Sequence, residues 1–406
     1  MTDAVEVPLH MARDRFTPSD DLAALRERGE LAKVRATLGV GDAWLVTRYA
    51  DIRTALADAD TFSNNTTEIA AAQIADLSTE EVERLRKGQL LGMDAPDHTR
   101  LRRLLTPEFT MRRIRQLEPR ITEIVTDHLD ELERLGPGAD LVAHFALPIP
   151  SLVICELLGV PYEDRAEFQE RSSRQLDTSL SEPERRAKGF EMRAYMAELV
   201  ARAQAEPGDD MLGMLVRDHG DAVDTDELIN VAGLLLTAGH ETTANMLGLG
   251  TYALLSNPEE LVALRRNLED ASYVNQAIEE LLRFLSVVHA GVPRVATRDI
   301  ELAGQLIRAG EQVLFGLSAA NHDPDFIDEP GILRLDRKTA PHVAFGHGAH
   351  HCLGAPLARA ELRIAFPALL RRFPDLRLAD SVDDVRFRPH QVIYGVETLP
   401  VAWGPA

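Results

Sequence analysis

Phe345-Gly346-His347-Gly348-Ala349-His350-His351-Cys352-Leu353-Gly354 is the stretch on which the reading of this chain turns. A helical pattern over residues 353–373 follows it at once. Cys352 therefore stands at a helix N-terminus, where the dipole and the free N–H groups stabilise a thiolate. Gly346, Gly348 and Gly354 let the backbone approach a flat ligand closely. A cysteine so placed has several uses. It can be a small core residue, a nucleophile activated by His350 or His351, or a metal-ligating thiolate beneath a macrocycle. Zinc is the weakest of these, because no second cysteine lies nearby. The other cysteine, Cys155, sits in the apolar run 152–158 and reads as core.

The 406-residue chain carries 44 basic and 65 acidic residues, a net charge of −21, which argues against a nucleic-acid partner. Two separated cysteines are no disulfide framework, and they fit a reducing cytosol. The first sixteen residues lack a basic segment followed by an apolar one, so no signal peptide is expected. The longest apolar stretch, 231–239, falls far short of the ~20 residues that span a bilayer. A cytoplasmic protein with no membrane partner is expected. No repeat or linker divides the chain, and residues 1–406 read as one mainly α domain with a minor β-region. Helical periodicity marks 114–135, 192–205 and 353–373. Residues 44–47 read as a strand, and 300–315 as a small meander turning at Ala303-Gly304 and Ala309-Gly310. Residues 392–401 read as a C-terminal hairpin.

Asp224-Thr225-Asp226-Glu227 is a capping-box-like start. The pattern it opens runs to Ser256, about 30 residues and about 45 Å of helix. It is apolar nearly all round, which indicates burial, yet its middle is polar: Ala238-Gly239-His240-Glu241-Thr242-Thr243. Ala238 and Thr242, at i,i+4, share a face with room for a flat ligand, while Glu241 lies about 100° round the helix. The alternative is a helix whose threonines bond their own carbonyls. Elsewhere His98 and Arg102 share a helix face and repel unless an anion lies between them. Glu280 and Arg283, at i,i+3, match a common surface pair.

Residues 345–354 resemble the haem-binding signature of the cytochrome P450 superfamily, Phe-Gly-x-Gly-x-His-x-Cys-x-Gly. Phe345, Gly346, Gly348, His350, Cys352 and Gly354 match, as does the following Ala355-Pro356-Leu357-Ala358-Arg359. The resemblance runs from about Trp44 to the C-terminus and is closest to soluble bacterial members. It implies Cys352 as axial ligand of haem b, Phe345, Gly346 and Gly354 against the cofactor, and His350 on a propionate. Ala238 to Thr243 resembles the family's Ala-Gly-x-Glu/Asp-Thr-Thr/Ser element. That implies Ala238 beside the haem, Thr242 hydrogen-bonding the oxygen under activation and Glu241 feeding protons through water. His98 and Arg102 match the family's propionate-binding His-x-x-x-Arg, and Arg294 its third propionate residue. The resemblance makes Glu280/Arg283 a buried ion pair supporting the thiolate loop. The arginine that usually joins this pair is Ile332 in this register, so Arg334 or backbone carbonyls would complete it. His322 replaces another usual arginine. Arg359 is expected at the surface.

Arg100, Arg102, Arg103, Arg112, Arg113, Arg115 and Arg120 crowd a segment in which only Glu108 and Glu118 oppose them. The resemblance puts this patch near the thiolate side, where it is expected to dock an acidic ferredoxin that relays electrons from NAD(P)H through a ferredoxin reductase; a plain solvated helix face is the alternative. Substrate contacts are expected from 63–91, 172–192, 235–242, 287–292 and 391–394. Val288, Ala290 and Val292 are small and apolar, as a roomy pocket requires. The expected reaction is hydroxylation or epoxidation of a bulky lipophilic natural product, such as a polyketide or macrolide-type secondary metabolite. Residues 106–110 and 176–181 resemble enzymes that cross-link carrier-bound glycopeptide precursors, but those usually lack an intact Glu-Thr pair. From other classes, a cysteine-dependent hydrolase or transferase and a haem-binding sensor are the alternatives.

Overall fold

The computed structural model describes residues 6–36, 41–65, 78–161, 171–338 and 340–405. The helices that build the site are α1 (Asp97–Leu105), α2 (Met111–Leu135), α3 (Pro148–Leu158), α4 (Glu182–Ala205), α5 (Thr225–Ser256), α6 (Ala271–Leu285) and α7 (Ala355–Arg372). The fold is mainly α with a minor β-region, as the periodicity predicts. Side chains flanking the helix starts satisfy backbone N–H groups that the helix itself leaves unpaired. Asp224 accepts the Glu227 N–H at 2.8 Å and Glu227 accepts the Asp224 N–H at 3.1 Å, so the expected capping box is present. At the start of α4 the Glu184 carboxylate accepts both the Ser181 N–H at 2.9 Å and the Ser181 hydroxyl at 2.6 Å, and α4 begins ten residues before the periodic stretch 192–205. Asp270 caps α6 through the Ser272 and Tyr273 N–H groups.

α5 runs through the middle of the molecule against α3, α4, α6 and α7. From Ala244 to Leu254 every residue of it is buried. Burying each leucine on this stretch contributes roughly 1.5–3 kcal/mol. Among the described residues no helix is long and apolar enough to cross a membrane.

A five-stranded sheet flanks the helical part. Its strands are β1 (Ala32–Arg35), β2 (Asp42–Val46), β3 (Phe62–Ser63), β4 (Val292–Ala296) and β5 (Gln312–Phe315), in the order β1-β2-β5-β4-β3. Only β2 and β5 pair in parallel, with Trp44 opposite Val313. The expected strand 44–47 is thus β2. The expected meander is only half realised. Ile300–Leu302 and Gln305–Ile307 form a hairpin about Ala303 and Gly304, both at positive φ. After Gly310 the chain leaves this hairpin and becomes β5. The expected hairpin over 392–401 is corrected. Phe387 pairs with Val396, while Ile393 bridges Val288 and the Tyr394 N–H donates to Val287 O at 2.7 Å. Pro400–Ala402 then pairs with Arg377–Leu378 and Ala139–Asp140. Alternation marks residues as extended but does not name their distant partner.

The Glu280/Arg283 pair is buried and bidentate, at 2.8 and 2.7 Å. Its third member is Arg337, which corrects the expectation of Arg334, while the expected backbone carbonyls do take part: Arg283 donates to Asn321 O and Pro330 O, both at 2.9 Å. Arg337 donates to Glu280 Oε1 at 3.2 Å and to the carbonyls of Asp328 (2.6 Å), Glu329 (3.2 Å) and Ile332 (3.2 Å). Arg334 contributes only its backbone N–H to Glu280, at 3.3 Å, and its guanidinium pairs with exposed acids. Ile332 is exposed.

Candidate functional site

Cys352 lies two residues before the Gly354 N-cap of α7, and the N–H groups of Gly354 and Ala355 hydrogen-bond to its sulfur. Its own N–H donates to Phe345 O at 2.9 Å, closing the loop. Gly346 and Gly348 both hold positive φ, 70° and 74°. A Cβ on Gly348 would stand 2.3 Å from the Leu56 carbonyl oxygen, so only glycine fits there. Burial pushes the Cys352 thiol up, while the two N–H groups with Arg102 and Arg359 pull it down. Cys352 is nevertheless open to solvent along one edge, unlike Cys155, which is buried in the core as expected.

His98 and Arg102 occupy successive turns of α1. The His98 ring stacks on His350, with centroids 3.8 Å apart and planes at 27°. Arg102 donates to the His351 carbonyl. Arg294 enters from β4, is buried, and is pulled down to about 10 by burial, against the opposing pull of Asp94. Burial, then His98 and Arg294, pull His350 down to about 3. Burial and then Arg102 lower His98. Asp94, the acid that counters these groups, already accepts bonds from Ser63 and Asn64. The buried His98 Nε2 has no hydrogen-bond partner. Two guanidinium groups and two imidazoles thus gather with only Asp94 to oppose them, a set that suits an anionic ligand. The structure brings His98, Arg102, Arg294 and His350 together as the sequence predicts.

On α5, Ala238 is exposed and Thr242 partly so, in a stretch where Leu234, Leu235, Thr237 and Gly239 are half-buried and His240, Glu241 and Thr243 are buried. The Thr242 hydroxyl donates to Ala238 O at 2.7 Å, the local bond that the alternative reading anticipates. Glu241 points away, 2% exposed. Its carboxylate lies 3.7 Å from Arg388, 3.7 Å from His240 and 3.5 Å from Asn245 Nδ2, and Oε1 makes no hydrogen bond.

The cytochrome P450 family profile matches residues 196–391. The chain is 47% identical over 404 residues to cytochrome P450 FAS1 of Rhodococcoides fascians, covering 99% of this chain and 100% of that protein. This chain belongs to the cytochrome P450 family. It is 44% identical to pentalenic acid synthase of Streptomyces avermitilis, over 98% of each chain. Among solved structures, CYP105P1 in complex with filipin I superposes with a TM-score of 0.88 at 43% identity, covering 99% of both chains. A hybrid P450 OxyB does so with 0.84 at 43%, covering 98% of this chain and 100% of that one. The enzyme is a monooxygenase, an oxidoreductase of a haem-iron family.

The residues of this P450 fit that cofactor. The thiol faces helix N–H groups, the glycine loop leaves no side chain in the way, Ala238 is small, and His98 Nε2 awaits an acceptor. Several expectations are narrowed. Ala290 is buried in the core, so of the three small residues only Val288 and Val292 remain partly accessible. Arg100, Arg113 and Arg120 are committed to Glu227, Glu108 and Glu156. Arg103, Arg112 and Arg115 remain exposed, with exposed Met111 beside Arg112. Residues 66–77 of the expected substrate segment lie outside the described residues. Residues 176–178, 287–289 and 390–394, by contrast, are drawn together. Asp177 bridges Gln391, and His289 Nε2 meets Gln391 O at 2.6 Å. Sequence reasoning missed Glu279, Arg337, Asn245 and Arg388. Arg359 is not the free surface residue expected, because Glu279 and the Phe345 ring hold it. Asn245 packs so closely on Gly395 that a Cβ there would stand 1.7 Å from its Oδ1, a contact visible only in the fold.

Proposed function

We propose that this P450 inserts one oxygen atom, by hydroxylation or epoxidation, into a bulky lipophilic natural product, with Cys352 as the thiolate that would hold the iron of haem b. The observation that carries this is the intact Glu241-Thr242 pair, with Glu241 buried and Thr242 on the side of α5 that Ala238 leaves open. Ala238 leaves the face of α5 clear for the cofactor. His98, Arg102, Arg294 and His350 would hold its propionates, and Phe345, Gly346 and Gly354 would lie against it beside Cys352. When bound, the haem supplies dioxygen binding and its reductive activation. Thr242 Oγ1 holds a proton now donated to the Ala238 carbonyl, and rotation about χ1 frees that donor for a ligand beside Ala238. Glu241 gathers protons on the buried side and passes them on through water. Val288 and Val292 offer apolar wall to the substrate. Pentalenic acid synthase and filipin-bound CYP105P1 are natural-product neighbours that support this substrate class.

Electrons come from NAD(P)H through a ferredoxin reductase and a ferredoxin. The ferredoxin docks over Arg112 and Arg115, which share one face of α2, with Arg103 on α1 nearby in sequence. The cytoplasm is the compartment in which these partners meet the enzyme.

The test is spectroscopic first. The reduced, carbon-monoxide-bound enzyme gives a strongly red-shifted Soret band that Cys352→Ala loses; a band surviving that change refutes the ligation. Thr242→Ala keeps the haem and diverts reducing equivalents to hydrogen peroxide, and coupling equal to wild type refutes its role.

A further inference from the structure

Arg359 lies on α7 one turn after Ala355, and its guanidinium is fixed twice over. It donates to Glu279 through Nε at 2.6 Å and a terminal nitrogen at 2.8 Å, a bidentate geometry that sets its plane. Its Cζ stands 4.6 Å from the centroid of the Phe345 ring, within cation–π range. Glu279 also meets His342 Nε2 at 3.1 Å, and the Ala344 N–H donates to His342 Nδ1 at 3.2 Å. Because Nδ1 accepts, the ring proton belongs on Nε2, where it points at the carboxylate. Both arms of this arrangement end on residues 342–345, and the Phe345 carbonyl in turn receives the Cys352 N–H. α6 and α7 are thereby joined through Glu279 to the limb that leads into the thiolate.

We propose that Glu279, Arg359 and His342 are positioning residues that clamp the 342–345 limb, and that the fixed charges of Glu279 and Arg359 set the electron affinity of the Cys352-ligated iron. This rests on the reading of Cys352 as the haem ligand. Reduction of the iron adds one negative charge. Removing a nearby anion therefore favours reduction, and removing a nearby cation opposes it. A merely structural brace has no reason to separate the two signs.

The experiment measures the ferric/ferrous reduction potential of haem-loaded wild type, Glu279→Gln and Arg359→Gln, with carbon-monoxide spectra of each. Glu279→Gln raises the potential and Arg359→Gln lowers it. His342→Phe speeds the decay of the red-shifted carbon-monoxide band several-fold. Potentials that match wild type, or move in the same direction in both variants, overturn the clamp while leaving Cys352 ligation intact. If Cys352→Ala keeps the red-shifted band, the ligation reading fails first and takes this one with it. Should Arg359→Gln fail to take up haem, Glu279→Gln decides alone, because it preserves the side-chain shape. An unchanged or lowered potential in it overturns the proposal.

Discussion

Replacing Arg337 by alanine removes a guanidinium that reaches Glu280 and three backbone carbonyls at once, from a side chain only 10% exposed. Breaking one member out of a buried ion pair costs about 3–5 kcal/mol. Glu280 keeps its two bonds from Arg283 and the Arg334 N–H, so the carboxylate is not stranded. The loss therefore falls at the lower end, about 3 kcal/mol. Arg334→Ala is the paired comparison. Its guanidinium is 46% exposed and meets Glu329 and Asp336 at 3.5 and 3.7 Å, both exposed. Such a pair is worth about 1 kcal/mol at most, and the backbone N–H to Glu280 survives the change. Urea titration of the haem-loaded enzyme, followed by loss of the red-shifted carbon-monoxide band, measures both. With a slope of about 3 kcal/mol/M, the Arg337→Ala midpoint falls by about 1 M and that of Arg334→Ala by a third of this or less. Arg337→Lys, which can reach one partner but not four, lies between wild type and alanine. An Arg334→Ala loss equal to or larger than that of Arg337→Ala refutes the assignment of Arg337 as the third member.

Glu361 is buried on α7, its Oε2 has no partner, and burial raises its pKa well above the ordinary range. The folded state then holds a proton that the unfolded chain releases, so wild-type stability falls as pH rises above about 4.5. Glu361→Gln removes that slope, about 1.4 kcal/mol per pH unit, and is the more stable protein at neutral pH; equal pH profiles of unfolding reject it. His322 has the opposite sign. Burial, reinforced by Arg283, pulls it down to about 3, and its Nε2 makes no hydrogen bond. Below pH 6.5 the unfolded chain takes up a proton that the fold refuses, so stability declines from pH 6.5 towards 3, by roughly 5 kcal/mol in all. In His322→Phe this part of the acid sensitivity disappears, which unfolding free energies at stepped pH detect. Reversing Arg112 and Arg115 to glutamate slows reduction by ferredoxin and flattens its dependence on salt, measured by stopped flow. Unchanged rates exclude that face.

The parts of the fold legible in the sequence were those with a local physical cause. Asp224 and Glu227 announce α5 because a cap and its reciprocal acid lie three residues apart. Cys352 could be placed at a helix start because the pattern after it is local too. The imidazoles and arginines of the anion cradle were legible through motif resemblance, and the geometry then supplied the reason: two guanidinium cations beside two buried imidazoles, with only Asp94 to oppose them. What escaped was set by distant partners. Nothing near Arg337 or Arg359 says which carboxylate each will find, since Glu280 and Glu279 are adjacent on α6 and serve different arms. The strand-like 392–396 gives no clue that its partners are 287–288. Ala290 is as small and apolar as its neighbours, yet it faces inward.

The stacking of His98 on His350 joins an early helix to a loop near the end of the chain, with Arg294 arriving between them in sequence. During synthesis His98 and Arg102 leave the ribosome long before His350 and Cys352 exist. The nascent enzyme therefore has no complete seat for its cofactor until translation is nearly over. With the haem held as proposed, its capture is a late event in the life of the chain, made by a largely finished protein rather than by a folding fragment.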